Sequence, residues 1–144
     1  MFHIRAMTIG DYDAVVTLMC SEPGVCLRDS DSRPDTARYL ERNPGLSLVA
    51  EISHDVAGCV LCGHDGRRGY LRHLVVRPSS RRLGIGTALV GRCLASLESI
   101  GIHKTHIEVL RHNQGAIAFW EKLGWVQRED IRRYSLIQGA GDNA

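Results

Sequence analysis

The residues best suited to hold an anion lie together in Val76-Arg77-Pro78-Ser79-Ser80-Arg81-Arg82-Leu83-Gly84-Ile85-Gly86-Thr87. Pro78 forces a turn after an apolar run, and two glycines stand where a long helical pattern begins. The first N–H groups of a helix have no internal partner, and the helix dipole puts partial positive charge at the same end. Gly84 and Gly86 have no side chain to hold a ligand away from that backbone. Arg81 and Arg82 add full charges and Thr87 a hydroxyl, which together make the chemistry of a pyrophosphate cradle. The pattern Arg-x-x-Gly-x-Gly is not the dinucleotide fingerprint Gly-x-Gly-x-x-Gly. Nor is it a P-loop, because no Gly-Lys-Ser/Thr follows.

Other residues offer different chemistry. His73, just upstream of the cradle, carries the side chain suited to take a proton near neutral pH. Cys59-x-x-Cys62 and His103-x-x-His106 look like half metal sites, but both fall in stretches that read as strands. Residues three apart on a strand face opposite sides, so a shared ligand is geometrically poor and no metal is expected. The five cysteines form no secreted framework and are expected as free thiols.

The elements that must position these groups follow from pattern. Ile4-Arg5 reads as an opening strand, and Thr8 or Asp11 caps a helix that buries Val15, Leu18 and Met19. A turn-rich connection, Cys20 to Pro34, contains Glu22, Asp29 and Asp31, acidic residues able to attract a cation. A second helix runs from Pro34 to Arg42. Leu46–Ile52 and Val56–Gly63 form a hairpin, followed by a strand from Tyr70 to Val76. Ile85, Ala88, Leu89, Leu94 and Leu97 make the apolar stripe of a helix over Gly84–Ile100, stopped by Gly101. His106–Leu110 is expected as a strand, Gln114–Leu123 as a helix, and Trp125-Val126 with Tyr134–Ile137 as a last hairpin. This order predicts an α/β (α+β) fold with a mixed, mostly antiparallel sheet and helices on both faces. One domain over residues 1–138 and a disordered tail over 139–144 are expected.

Composition narrows the function classes. With 144 residues, 44% apolar and 24% charged, the chain can bury the core of one ordinary domain. A net charge of +2 is too small to argue for nucleic acid. No run reaches the roughly 18–20 apolar residues of a membrane span, and the N-terminus lacks a signal-peptide layout, so a cytoplasmic location is expected. Lys104 and Lys122 are the only lysines. The arginines gathered between Arg67 and Arg92 suit phosphate oxygens better than lysines would.

Taken together, Leu74-x-Val76-x-Pro78 and Arg81-x-x-Gly84-x-Gly86 closely resemble motif A of the GNAT acetyltransferases. Downstream, Asn113-Gln114-Gly115-Ala116-Ile117-Ala118-Phe119-Trp120-Glu121-Lys122-Leu123-Gly124-Trp125 resembles that family's second signature, most closely in the branch that acetylates ribosomal-protein N-termini. The resemblance implies an N-acetyltransferase that uses acetyl-coenzyme A as acetyl donor and an unidentified amine as acceptor, by direct attack in a ternary complex. It implies that Leu74, Val75 and Val76 serve the pantetheine amides and that Arg81, Arg82, Leu83, Gly84, Ile85, Gly86 and Thr87 hold the pyrophosphate. Asn113, Phe119 and Trp120 would line the thioester end, although Asn113 also suits a helix N-cap. A backbone N–H near Val75 or Val76 would support the developing oxyanion.

Glu108 matches the glutamate base of that branch, with His73 as the second candidate; a carboxylate on a strand also suits pairing with an arginine such as Arg111. The family's pattern departs at Trp120, where a tyrosine normally protonates the leaving thiolate and indole cannot. Three readings follow: no acid is used, Tyr134 replaces it, or the chain is a non-catalytic acyl-CoA-binding module. Small amines, antibiotics and peptide N-termini all fit as acceptors, and a homodimer is compatible with the pattern.

Overall fold

The computed structural model describes all 144 residues. Its elements are β1 His3–Ala6, α1 Tyr12–Cys20, α2 Arg33–Arg42, β2 Leu48–Ile52, β3 Asp55–His64, β4 Gly69–Val76, α3 Ile85–Ser99, β5 Thr105–Ile107 and α4 Gln114–Lys122. The five strands lie in sequence order, antiparallel from β1 to β4 and parallel between β4 and β5. The mixed sheet expected from the sequence is therefore present.

Alternation along the strands sorts side chains onto two faces. Val60, Cys62 and Leu71 pack with Ile85, Leu89, Cys93 and Leu97 of α3 and with Trp120 of α4. Val49, Cys59 and Val75 pack on the other face with Val15, Leu18 and Met19 of α1. Cys59 and Cys62 thus belong to opposite layers, as residues three apart on a strand must. The β2–β3 turn is made by Ser53 and His54, both at positive φ (50° and 70°), which matches the right-handed twist of the strands it joins. No helix is long and apolar enough to cross a membrane.

The expected last hairpin is absent. No strand forms after β5, and Trp125 to Ile137 is irregular. Val126, Ile131, Tyr134, Leu136 and Ile137 are all exposed, Tyr134 at 87%. At the chain end, the Asn143 carbonyl accepts from the Asp29 backbone N–H at 2.8 Å.

The start of α1 is pinned by an ion pair. Both Nη atoms of Arg5 donate to the Asp11 carboxylate, at 2.7 and 2.9 Å, and the Thr8 backbone N–H donates to Asp11 Oδ2 at 2.8 Å. The Arg5 guanidinium holds the Asp11 carboxyl below its usual range; burial opposes this and the Thr8 N–H adds to it. A depressed native pKa contributes stability that is present above the unfolded value of about 3.9 and is lost as pH falls through the native value. Asp11→Asn should therefore cost roughly 1.5–3 kcal/mol at neutral pH. In urea melts the gap between variant and wild type should close below about pH 4. A gap that persists there would show the loss to be packing.

Candidate active site

The groove exists because two strands part. β4 and β5 pair only from Gly69↔Thr105 to Leu71↔Ile107, and β4 then continues to Val76 alone on that side. A groove of about 1320 Å³ opens at the split. That volume exceeds the roughly 300–1,000 Å³ of an ordinary small-ligand pocket. It has room for two reactants.

One wall is the start of α3. Gly84 is its N-cap at φ 84°, in the left-handed region where a side chain is strained, and Arg82 stands at φ 67°. Left-handed residues at the positive end of a helix are the kind of backbone that can turn successive N–H groups toward one anion. Gly86 has a different reason to be glycine. A Cβ there would lie 3.3 Å from the Phe119 ring and 3.8 Å from Val76 Cγ2. The packing of α4 against α3 leaves little space for a side chain there, and the bare backbone lies beside the groove.

Most of the sequence-derived cofactor positions reach this groove. Leu74, Val75, Val76, Arg81, Arg82 and Gly84 line it, as do Ile85, Gly86, Thr87, Asn113, Phe119 and Trp120. Leu83 does not; it is 56% exposed and lies outside. Asn113 accepts the Ala116 N–H at 3.1 Å, so it is the N-cap of α4 as well as part of the wall. Trp120 is 8% exposed and stacked edge-on between Phe119 (5.2 Å) and Trp125 (4.9 Å), so it is a core residue whose edge borders the groove. Tyr134 does not line the groove: without the last hairpin its side chain is exposed, although its neighbour Arg133 reaches Glu108.

The connection between α1 and α2 crosses the groove like a strap. Glu22 is ion-paired to Arg81, and a Cβ on Gly24 would come within 2.2 Å of Asn113 Nδ2. Arg81 Nε also donates to the Val76 carbonyl at 3.2 Å. Glu22 and Asp31 of the strap are therefore committed to internal partners, Arg81 and His73. Arg81 stays beside the cradle, whereas Arg67 lies exposed in the β3–β4 turn outside the groove. Arg81→Ala should weaken coenzyme A binding by roughly tenfold or more, the size of one lost charge-assisted contact. Arg67→Ala should leave it nearly unchanged, and equal effects in calorimetry would mean general electrostatics only.

Both candidate bases line the groove. Glu108 follows β5, and its Oε1 accepts from Arg72 Nη1 at 2.7 Å and Arg133 Nη1 at 3.1 Å. The pairing arginines are these two and not Arg111. His73 lies on β4, with its Nε2 2.9 Å from Asp31 Oδ1; the two side chains are 19% and 14% exposed. Burial works to raise the Asp31 carboxyl, but the His73 ring and the Arg28 backbone N–H outweigh it, and the group is held below the usual range. Asp31 as a partner of His73 was not legible beforehand. Its only signal was a cluster of acids in a loop.

The sequence profile of the acetyltransferase (GNAT) family matches residues 12–125. The chain belongs to the GNAT acetyltransferase family. It is 38% identical over 121 residues to an acetyltransferase of Pectobacterium atrosepticum, covering 83% of this chain and 84% of that one. An acetyltransferase of Sodalis glossinidius is 34% identical over 129 residues, covering 89% of each. Among solved structures, this GNAT domain superposes on the PaiA N-acetyltransferase of Thermoplasma acidophilum in complex with coenzyme A, with a TM-score of 0.75 at 18% identity over 85% of this chain and 88% of that one. The ribosomal-protein-S18-alanine N-acetyltransferase of Escherichia coli gives 0.72 at 24% identity over 86% and 77%. These two likenesses establish the GNAT fold.

Proposed function

We propose that this chain is an acetyl-coenzyme A-dependent N-acetyltransferase, acting in the cytoplasm on a primary amine by direct attack. The observation that carries the reading is the left-handed nest at Arg82 and Gly84, opening at a helix N-terminus into the groove that also holds His73 and Glu108. Pyrophosphate fits such a nest because unpaired N–H groups, the helix dipole and two arginines act on it together. The donor supplies the thioester; the chain supplies a bare backbone beside it, a strand free on one side, and proton acceptors across the groove.

A second reading, a non-catalytic acyl-coenzyme A-binding module, draws on Trp120. The family's acid position is filled by a core indole. The acid is dispensable on chemical grounds, since a simple thiol with a pKa of about 8.5 leaves tolerably as thiolate near neutral pH. Acetyl-coenzyme A is tested with spermidine, an aminoglycoside and a short alanine-initiated peptide, following thiol release and the acetylated product. Transfer to any of them supports the enzyme. Tight coenzyme A binding with no transfer supports the module.

A further inference from the structure

Within β4 one position departs from regular strand geometry. The register with β3 passes from Cys59↔Val75 to Leu61↔Arg72, so His73 and Leu74 stand opposite Val60 alone. This is a β-bulge, a device that re-aims a side chain and recurs beside active sites. His73 carries φ 52°, an uncommon value for any residue but glycine. Local strain of this kind persists only where the surroundings hold it, and it concentrates at functional sites. Here the bulge puts an imidazole into the groove where β4 has lost its neighbour.

The second element of the pair comes from the strap. Asp31 is fixed independently of His73: its Oδ2 accepts the Arg28 backbone N–H at 2.8 Å, and its carbonyl accepts the Tyr12 hydroxyl at 2.7 Å. Its Oδ1 then faces His73 Nε2. A carboxylate on one ring nitrogen selects the tautomer with its proton there, leaves the lone pair on Nδ1 and stabilises the imidazolium. Glu108 is placed differently: its Oε1 already accepts from two guanidinium groups, Arg72 and Arg133. The other titratable or charged groups around the pair are Arg72 on β4, Cys59 on β3, Tyr12 on α1 and Tyr39 on α2. Cys59 Sγ lies 3.6 Å from the His73 carbonyl, and the Arg72 charge acts on Asp31 and Tyr39.

We infer that His73 is the base that accepts the proton of the acceptor ammonium, with Asp31 as its positioning residue. This rests on the acetyl-transfer reading above. His73 Nδ1 takes one proton from the ammonium, which frees the nitrogen lone pair. The C–N bond forms as the C–S bond of the thioester breaks. The departing sulfur takes the second proton lost by the nitrogen, and the imidazolium returns the first to water.

The test uses full-length protein, acetyl-coenzyme A and whichever of spermidine, the aminoglycoside or the alanine-initiated peptide is acetylated. His73→Asn is chosen because asparagine tolerates positive φ. It should lower kcat about a hundredfold or more while changing coenzyme A affinity less than twofold, and it should abolish the acidic limb of the pH–rate profile. Asp31→Asn should lower kcat less, since the ring keeps its place but loses the partner that selects its tautomer. Glu108→Gln should keep the limb. Independently of turnover, ¹⁵N spectra of the histidines should show a ring with its proton on Nε2 that is missing in His73→Asn and altered in Asp31→Asn. An acidic limb retained in a folded His73→Asn overturns the inference, and so does a His73 ring protonated on Nδ1. If the wild type acetylates none of the three amines, the acetyl-transfer reading fails and takes this inference with it. Transfer by the wild type with equal transfer by His73→Asn removes the inference alone.

Discussion

Gly86→Val should reduce coenzyme A affinity at least about a hundredfold, or roughly 2.8 kcal/mol at 1.4 kcal/mol per decade. The β-carbon alone would meet the Phe119 ring at 3.3 Å, and valine adds two methyl groups beyond it. Two outcomes are open to the side chain, and both harm the cradle. Phe119 moves and loosens its edge-on contact with Trp120, or the valine turns a methyl over the backbone N–H groups that face the groove. Overpacking of this kind typically costs 1–3 kcal/mol, so the melting temperature should also fall. Gly86→Ala needs Phe119 to yield by only a few tenths of an ångström and should lose far less affinity. Calorimetry on the three proteins decides it. Equal affinity for Gly86→Val would remove the α3 N-terminus from the binding site.

Trp120→Ala should destabilise the fold by about 3–5 kcal/mol, the usual range for truncating a buried tryptophan. Trp120 joins Phe119 and Trp125 in one aromatic cluster and belongs to the core between α3, α4 and the sheet. Its carbonyl also accepts the Leu123 and Trp125 N–H groups at 3.1 Å, closing the C-terminus of α4. Trp120→Tyr should cost less but give no gain in turnover. The smaller ring leaves a void, and its hydroxyl needs a polar partner among apolar neighbours. If position 120 were an open slot for an acid, the same substitution would raise turnover. Denaturant melts and the acetyl-transfer assay separate the two, and a rate gain in a folded variant would overturn the structural role.

Much of this molecule was legible in one dimension because its signals are local. Pro78, Gly84 and the apolar stripe from Ile85 to Leu97 mark a turn, a cap and a helix from backbone sterics and periodicity alone. The helix dipole and bare amides then follow without further information, which is why the segment 81–87 was legible as a possible anion cradle, and all of it but Leu83 lines the groove. Alternation placed Cys59 and Cys62 on opposite faces for the same reason. Where an element needs a distant partner, pattern was insufficient. Tyr134 to Ile137 has the composition of a strand, yet a strand exists only as part of a ladder, and this segment pairs with nothing. Pairing of Glu108 with an arginine was legible, but which arginine was not: sequence proximity suggested Arg111, whereas folding brings Arg72 and Arg133 to the same oxygen. The bulge at His73 depends on how β3 and β4 settle their register, and its partner Asp31 arrives from a loop on another element. Local sterics thus determined where the glycine turn and the N-terminus of α3 fall, while long-range register and loop docking decided which side chains face the groove beside them.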